Sequence, residues 1–213
     1  MKAIVGKEIR VIEPTSDFRK KVESELTVNN PDFARLKKMG KWTGGTPSVI
    51  RFYRTEGKDI ILPFGCLREY VFKNIKDVET DFSEVRHVEY TEDVPLYEYP
   101  DEAVEEALDK RNGILVAPCG SGKTQMGLAI AREISKPTLW ITHTKDLMVQ
   151  AEERAKDIFD LPKEAYGEIT EGKVNVGTHL TFSTVQTLAK VNLDNLKFGC
   201  VIVDECHHAV QSY

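Results

Sequence analysis

Ala117-Pro118-Cys119-Gly120-Ser121-Gly122-Lys123-Thr124 is the stretch whose reading decides the fold. It has the form of a phosphate-binding loop. Gly120 and Gly122 carry no Cβ, so the backbone can curl and turn its N–H groups toward phosphate oxygens. A helix opening near Lys123 points its positive end at the same anion. In such a loop Pro118, Cys119, Gly120, Ser121 and Gly122 cradle the phosphates, Lys123 reaches the outer ones, and the Thr124 hydroxyl ligates Mg²⁺. Working outward, Gly113–Ala117 is a short apolar run that predicts a fully buried strand. Gln125 to Ile134 has helical spacing, with Met126, Leu128, Ala129 and Ile130 on an inner face. Strand, loop and helix together are the context the motif requires, which a chance Gly-Lys-Thr in a turn would lack. Ala117 is a departure: the general pattern has Gly at that position.

A second cluster completes the constellation. The apolar run Cys200-Val201-Ile202-Val203 ends in Asp204-Glu205-Cys206-His207. A carboxylate at the C-terminal tip of a parallel strand points into the crevice where such sheets bind ligands. Asp204 is placed to hold Mg²⁺, and Glu205 to orient and deprotonate an attacking water. Cys200, Cys206, His207 and His208 could instead be read as zinc ligands. Three of these are consecutive, however, and do not easily converge on one tetrahedral ion.

The two clusters resemble motifs I and II of the superfamily-two helicases, the DEAD/DEAH-box group. Trp140-Ile141-Thr142-His143-Thr144-Lys145-Asp146-Leu147 resembles motif Ia, and Thr181-Phe182-Ser183-Thr184-Val185-Gln186-Thr187-Leu188 resembles motif Ib. The resemblance is nearest to phage-type and repair-type DNA helicases and restriction-enzyme motor subunits. It implies ATP and Mg²⁺ at the loop, and nucleic-acid backbone contacts from Thr142, His143, Thr144, Lys145, Thr184 and Gln186. It implies that His207 links the nucleotide site to the rest of the motor. It further implies duplex or branched DNA as partner, and hydrolysis that needs a second RecA-like domain with its arginine finger beyond Tyr213. Relatives carry a Tyr-Gln pair ahead of motif I whose glutamine reads adenine. Here Leu96-Tyr97-Glu98-Tyr99-Pro100-Asp101 puts Pro100, which has no side-chain donor or acceptor, in its place.

The resemblance covers residues from about 96 onward, and the alternation of strands and helices there predicts a parallel α/β sheet. The domain expected over 93–213 is thus a first RecA-like domain, incomplete after motif II. Residues 1–92 read as a small α+β accessory domain. It should hold an edge strand or a hairpin over 1–12, a helix capped by Ser16, and a second helix started by Asn30-Pro31 and stopped at Gly40. A β-hairpin is expected with arms Val49–Arg54 and Asp59–Leu62, a helix over Phe64–Ile75, and a strand over Val85–Tyr90. Thr91–Pro95 is the expected linker.

Asp and Glu number 34 against 29 Lys and Arg, a net charge of −5, which argues against a uniformly basic nucleic-acid binder. The distribution is uneven. Residues 35–58 hold seven basic side chains and a single acid, Glu56. Lys37, Lys38, Lys41 and Arg51, near Trp42 and Tyr53, could grip a phosphate backbone, or form a solvated charged face over buried aromatics. No apolar run reaches the length of a membrane span, and the N-terminus lacks a signal-peptide core. The four cysteines follow no framework spacing, which predicts reduced thiols and a cytoplasmic protein. A different class also stays open: a non-catalytic nucleic-acid-binding or partner-binding module with a vestigial nucleotide site.

Overall fold

The computed structural model describes residues 1–211 except 7, 83, 96, 97 and 194, with the side chains at 98–100 and 209–211 also left out. The chain forms two compact units, Met1–Phe82 and Ser83–Tyr213.

The first unit runs β1 (Lys2–Val5), β2 (Ile9–Ile12), α1 (Ser16–Glu25), β3 (Thr27–Asn29), α2 (Pro31–Lys38), β4 (Val49–Arg51), β5 (Arg54–Glu56), β6 (Asp59–Leu62) and β7 (Asp77–Thr80). Its main sheet has the order β5-β6-β2-β1-β7, with β7 parallel to β1 and the other pairs antiparallel. Strand alternation sends Ala3, Val5, Ile9 and Val11 to one face, where Phe18 and Val22 of α1 pack on them. Each fully buried valine or isoleucine of this set contributes roughly 1.5–3 kcal/mol. The cap of α1 is Thr15, one residue earlier than expected. Its Oγ1 accepts the Phe18 N–H at 3.3 Å.

Asn30 caps α2 as the sequence indicates, accepting the Asp32 N–H at 3.0 Å, and Pro31 occupies the first turn. Two local readings need correction. The first arm of the hairpin is β5, turning at Gly57 (φ +59°), while Val49–Arg51 pairs with Thr27–Asn29 in a separate two-stranded sheet. Phe64–Ile75 is not a regular helix. A 3₁₀ turn over Phe64–Cys66 passes into a wider π-type turn over Leu67–Phe72.

The second unit runs α3 (Glu98–Lys110), α4 (Lys123–Ile134), β8 (Thr138–Thr142), α5 (Lys145–Ile158), β9 (Tyr166–Thr170), β10 (Lys173–Asn175), β11 (Leu180–Thr184), α6 (Val185–Leu188) and β12 (Cys200–Val203). The sheet order is β10-β9-β11-β8-β12, parallel throughout except for the β9–β10 hairpin. Trp140, Leu180 and Phe182 from the sheet meet Leu128 of α4 and Met148, Ala151 and Ala155 of α5 in one core. Helix α4 lies close on the sheet at Gly127, where an added Cβ would sit 2.5 Å from Trp140 Cη2.

Residues 85–90 form no strand. They lie along the second unit: the Val88 N–H donates to Ser135 O at 3.0 Å, Lys136 Nζ to Val85 O at 3.0 Å, and His179 Nε2 to Glu89 O at 2.9 Å. The alternation that suggested a strand reflects burial of Val88 and packing of the Tyr90 ring 4.7 Å from Phe159. Compactness therefore divides the chain at 82/83, whereas composition suggested 92/93. The expected linker is pinned as well, since Arg132 donates from Nε to Glu92 O at 3.0 Å and pairs with Asp93.

The largest departure precedes the phosphate loop. Gly113–Ala117 joins no ladder, and Ile114 and Val116 are 77% and 89% exposed. Among the described residues no strand pairs with this run or with the outer edge of β12. A strand is buried by its neighbours, and its own apolar residues do not supply them.

Candidate nucleotide and nucleic-acid site

The loop between Ala117 and α4 is shaped by its glycines. Gly120 and Gly122 have φ of +78° and +81°, the left-handed region that side chains avoid. Ser121 closes the turn, its N–H and Oγ both donating to Pro118 O, at 3.3 and 2.8 Å. Gly122 precedes α4 in the N-cap position with no side-chain cap. The helix thus leaves its first N–H groups available at the loop, the arrangement that receives a phosphate. Lys123 Nζ reaches back to Pro118 O at 3.4 Å, Thr124 is half-buried beside it, and Cys119 is exposed.

Facing the loop is the end of β12. The Asp204 N–H continues the ladder to Ile141 O at 2.8 Å, after which Glu205 takes a positive φ of +49°. Such a conformation in a non-glycine residue costs on the order of 1–3 kcal/mol and clusters at functional sites. Beyond this turn the Glu205 carboxylate meets Lys123 Nζ at 3.6 Å through Oε1 and His207 Nδ1 at 3.2 Å through Oε2. Lys123, Asp204, Glu205 and His207 thus border one gap. Asp204 Oδ1 accepts the Glu205 N–H at 3.0 Å. Burial raises the Asp204 carboxyl above its ordinary range and the Glu205 charge adds to this, while the Glu205 N–H and Lys123 oppose it.

The donor set fits a hard divalent cation. Thr124 offers a hydroxyl and Asp204 a carboxylate whose ionised form is short of positive partners, a deficit that a metal bound there would relieve. Cys200, Cys206, His207 and His208 do not gather as zinc ligands: no group of three or more His, Cys, Asp or Glu among the described residues is arranged to hold a metal.

The other expected contacts stand at the C-terminal ends of β8 and β11, which are in register at Thr142 and Thr184. Their hydroxyls are largely engaged. Thr142 is buried and donates to Thr144 O at 2.9 Å, Thr144 caps α5 by accepting the Leu147 N–H at 3.3 Å, and Thr184 caps α6 by accepting the Thr187 N–H at 3.3 Å. Lys145 and Gln186 remain exposed and His143 half-buried. The side chain of Pro100, expected near the base, and residues 96 and 97 lie outside the described set.

In the first unit, Lys37, Lys38, Lys41 and Arg51 have no ion-pair partner among the described residues. Arg35 is held by Asp32, Arg54 by Glu8 and Glu56, and Lys58 by Glu13. Tyr53 packs against the core while Trp42 is 82% exposed, so the two aromatics do not share the surface expected of them.

Two features escaped the sequence reading. Gln125 donates to Pro95 O at 3.4 Å, tying the segment before α3 to the first turn of α4. His208 stacks on His143 with ring centroids 4.9 Å apart and lies 4.0 Å from the His207 ring. A contact path therefore runs from Glu205 to the end of β8. The consecutive histidines after Asp-Glu were the available signal, but their partner on β8 is set by strand order.

Similar proteins bear on this arrangement. A DNA 3'-5' translocase, XPB2, of Sulfurisphaera tokodaii is 35% identical over 115 residues, covering 54% of this chain and 26% of its own length. A chain of Acanthamoeba polyphaga mimivirus that carries the name ATP-dependent RNA helicase L396 is 37% identical over 99 residues, covering 45% of this chain and 19% of its own. The chain thus spans about a fifth to a quarter of these relatives. The crystal structure of the UvsW helicase from bacteriophage T4 shares the fold, with a TM-score of 0.67 at 19% identity over 98% of this chain and 84% of that one. The family model described as type III restriction enzyme, res subunit, matches residues 93–213, more than half the chain. On that match, and with the paired loop and acidic strand end it contains, the chain belongs to the res-subunit family of superfamily-two helicases.

Proposed function

We propose that this chain is the ATP- and nucleic-acid-binding N-terminal part of a DNA helicase or translocase. The observation that carries the reading is the 3.6 Å approach of Lys123 Nζ to Glu205 Oε1, between the glycine loop and the acidic strand end, which supports a shared phosphate and metal site. In this reading the backbone N–H groups from Cys119 to Thr124 and the Lys123 ammonium bind the triphosphate. Thr124 and Asp204 would hold Mg²⁺, which would supply neutralisation of charge on the phosphates. Glu205 accepts a proton from water, with His207 against its second oxygen. The ends of β8 and β11 meet the nucleic-acid backbone through Lys145, Gln186 and local N–H groups, and the path His207–His208–His143 joins the two sites. Turnover draws a further arginine from a second RecA-like domain, as the superfamily resemblance implies.

Titration with a fluorescent ATP analogue tests the nucleotide half. Binding should depend on Mg²⁺ and be lost in Lys123→Ala. Equal binding by that variant sinks the assignment. Wild-type chain that binds DNA but no nucleotide would make it the non-catalytic module instead.

A further inference from the structure

We propose that Trp42 is a stacking platform for an unpaired base, with Lys37, Lys38 and Lys41 taking the flanking phosphates of a single strand. This rests on the nucleic-acid reading above and specifies where the first unit holds one strand.

The indole is the largest apolar side chain a protein carries, yet Trp42 is 82% exposed. Its ring is not loose. An ideal Cβ on Gly44 would fall 2.5 Å from Trp42 Cζ2, and one on Gly45 3.5 Å from Cζ3. The indole therefore rests against bare backbone at two successive glycines, which leaves its opposite side to solvent. The loop beneath is tied at both ends. The Lys41 N–H donates to Leu36 O at 3.0 Å, the Thr46 N–H to Thr43 O at 2.9 Å, and the buried Asn30 amide to Pro47 O at 2.9 Å. A braced aromatic with one open side is what base stacking needs, because every base offers a π-face and little rotamer freedom is then lost.

The surroundings select the occupant. Lys37 and Lys38 end α2 and Lys41 precedes the indole, and among the described residues none has a carboxylate partner. The nearby acid Asp32 is held by Arg35 at 3.0 Å. Unpaired cations around an exposed ring favour a polyanion with planar groups over an apolar protein surface. A blunt duplex keeps its bases stacked on each other and offers none to the indole.

The chain's own fluorescence provides the test. It has two tryptophans, and Trp140 is 1% exposed, so Trp42 is the one open to a ligand. Oligothymidylate of about 16 nucleotides should quench the emission, and a blunt duplex should not. Because variants at this position lose the reporting indole, their affinity is read by anisotropy of fluorescein-labelled oligothymidylate: Trp42→Ala should bind it about 5- to 150-fold more weakly than wild type does in the same assay, and Trp42→Phe should be weakened much less. Gly44→Val, which keeps the indole but occupies its seat, should also weaken binding. Far-UV circular dichroism confirms that each variant is folded, and the fluorescent ATP analogue should bind all of them as it binds wild type. Equal quenching by duplex, or unchanged affinity in Trp42→Ala, overturns the platform. If oligonucleotide binding then persists and is lost on changing Lys145 and Gln186, the nucleic-acid reading stands without it. If the wild type binds no oligonucleotide at all, both fall together.

Discussion

Gly127→Ala sets two opposing effects against each other. Gly127 is in the middle of α4, where alanine favours the helix by about 1 kcal/mol. The new Cβ, however, would lie 2.5 Å from Trp140 Cη2 and 2.9 Å from Cζ3, with Ile202 Cγ2 at 3.6 Å. Trp140 is 1% exposed and cannot swing aside, so the helix or the ring must shift, an overpacking cost of roughly 1–3 kcal/mol. The expected net result is a destabilisation of about 0–2 kcal/mol. Trp140→Phe removes the two clashing carbons and alone costs on the order of 1–2 kcal/mol through the cavity it leaves. Combined with Gly127→Ala it should cost less than the sum of the two by at least about 0.5 kcal/mol. Urea denaturation followed by circular dichroism at 222 nm reads all four corners of this cycle. Because Lys123 lies one turn before Gly127 on the same helix, the single alanine variant should also bind the ATP analogue more weakly, as the loop moves relative to Glu205. A Gly127→Ala protein more stable by about 1 kcal/mol, or energies that simply add, would refute the packing argument.

Three further outcomes are expected. Lys123→Ala should lose Mg²⁺-dependent nucleotide binding while leaving the melting temperature of the ligand-free protein within a few degrees, since its 3.6 Å contact with Glu205 is a partly exposed pair. Asp204→Asn should raise ligand-free stability and remove the Mg²⁺ effect. Burial lifts the Asp204 pKa above the unfolded value near 3.8, so the folded state binds the proton more tightly and the wild type loses stability as pH rises through that window. The asparagine variant should show a flatter profile by calorimetry; an unchanged profile counts against a buried carboxylate. Asn30→Ala should cost about 1–2 kcal/mol by thermal melting, because the cap of α2 and the bond to Pro47 O go together. A loss below the error of the melt would show that neither bond holds the loop.

Features whose causes lie within a few residues were legible in the sequence. The glycine loop, the Asn30-Pro31 start and the parallel sheet after residue 138 are of this kind. Each is fixed by local conformational preference or by a run of side chains needing cover. What the sequence did not show depends on distant partners. Val49–Arg51 has strand chemistry either way, and only the fold decides that its mate is Thr27–Asn29. Val88 and Tyr90 are apolar because the second unit covers them, which alternation cannot distinguish from a strand. At the site, the gap between Lys123 and Glu205 followed from motif order. The engagement of Thr142 and Thr184 by neighbouring backbone and the His143–His208 stack followed from strand register, which no single segment encodes.

The outer edge of β12 has a consequence for how the chain behaves in company. Val201 and Val203 there are 57% and 39% exposed, and Ile114 and Val116 of the apolar run at 113–117 are open to solvent as well. Open backbone donors and acceptors beside β-branched side chains are a template on which another extended chain can lengthen the sheet. Crowding should therefore promote association between copies, seeded at this rim. A lysine at position 201 would act as a gatekeeper, keeping concentrated samples clear without touching the gap between Lys123 and Glu205.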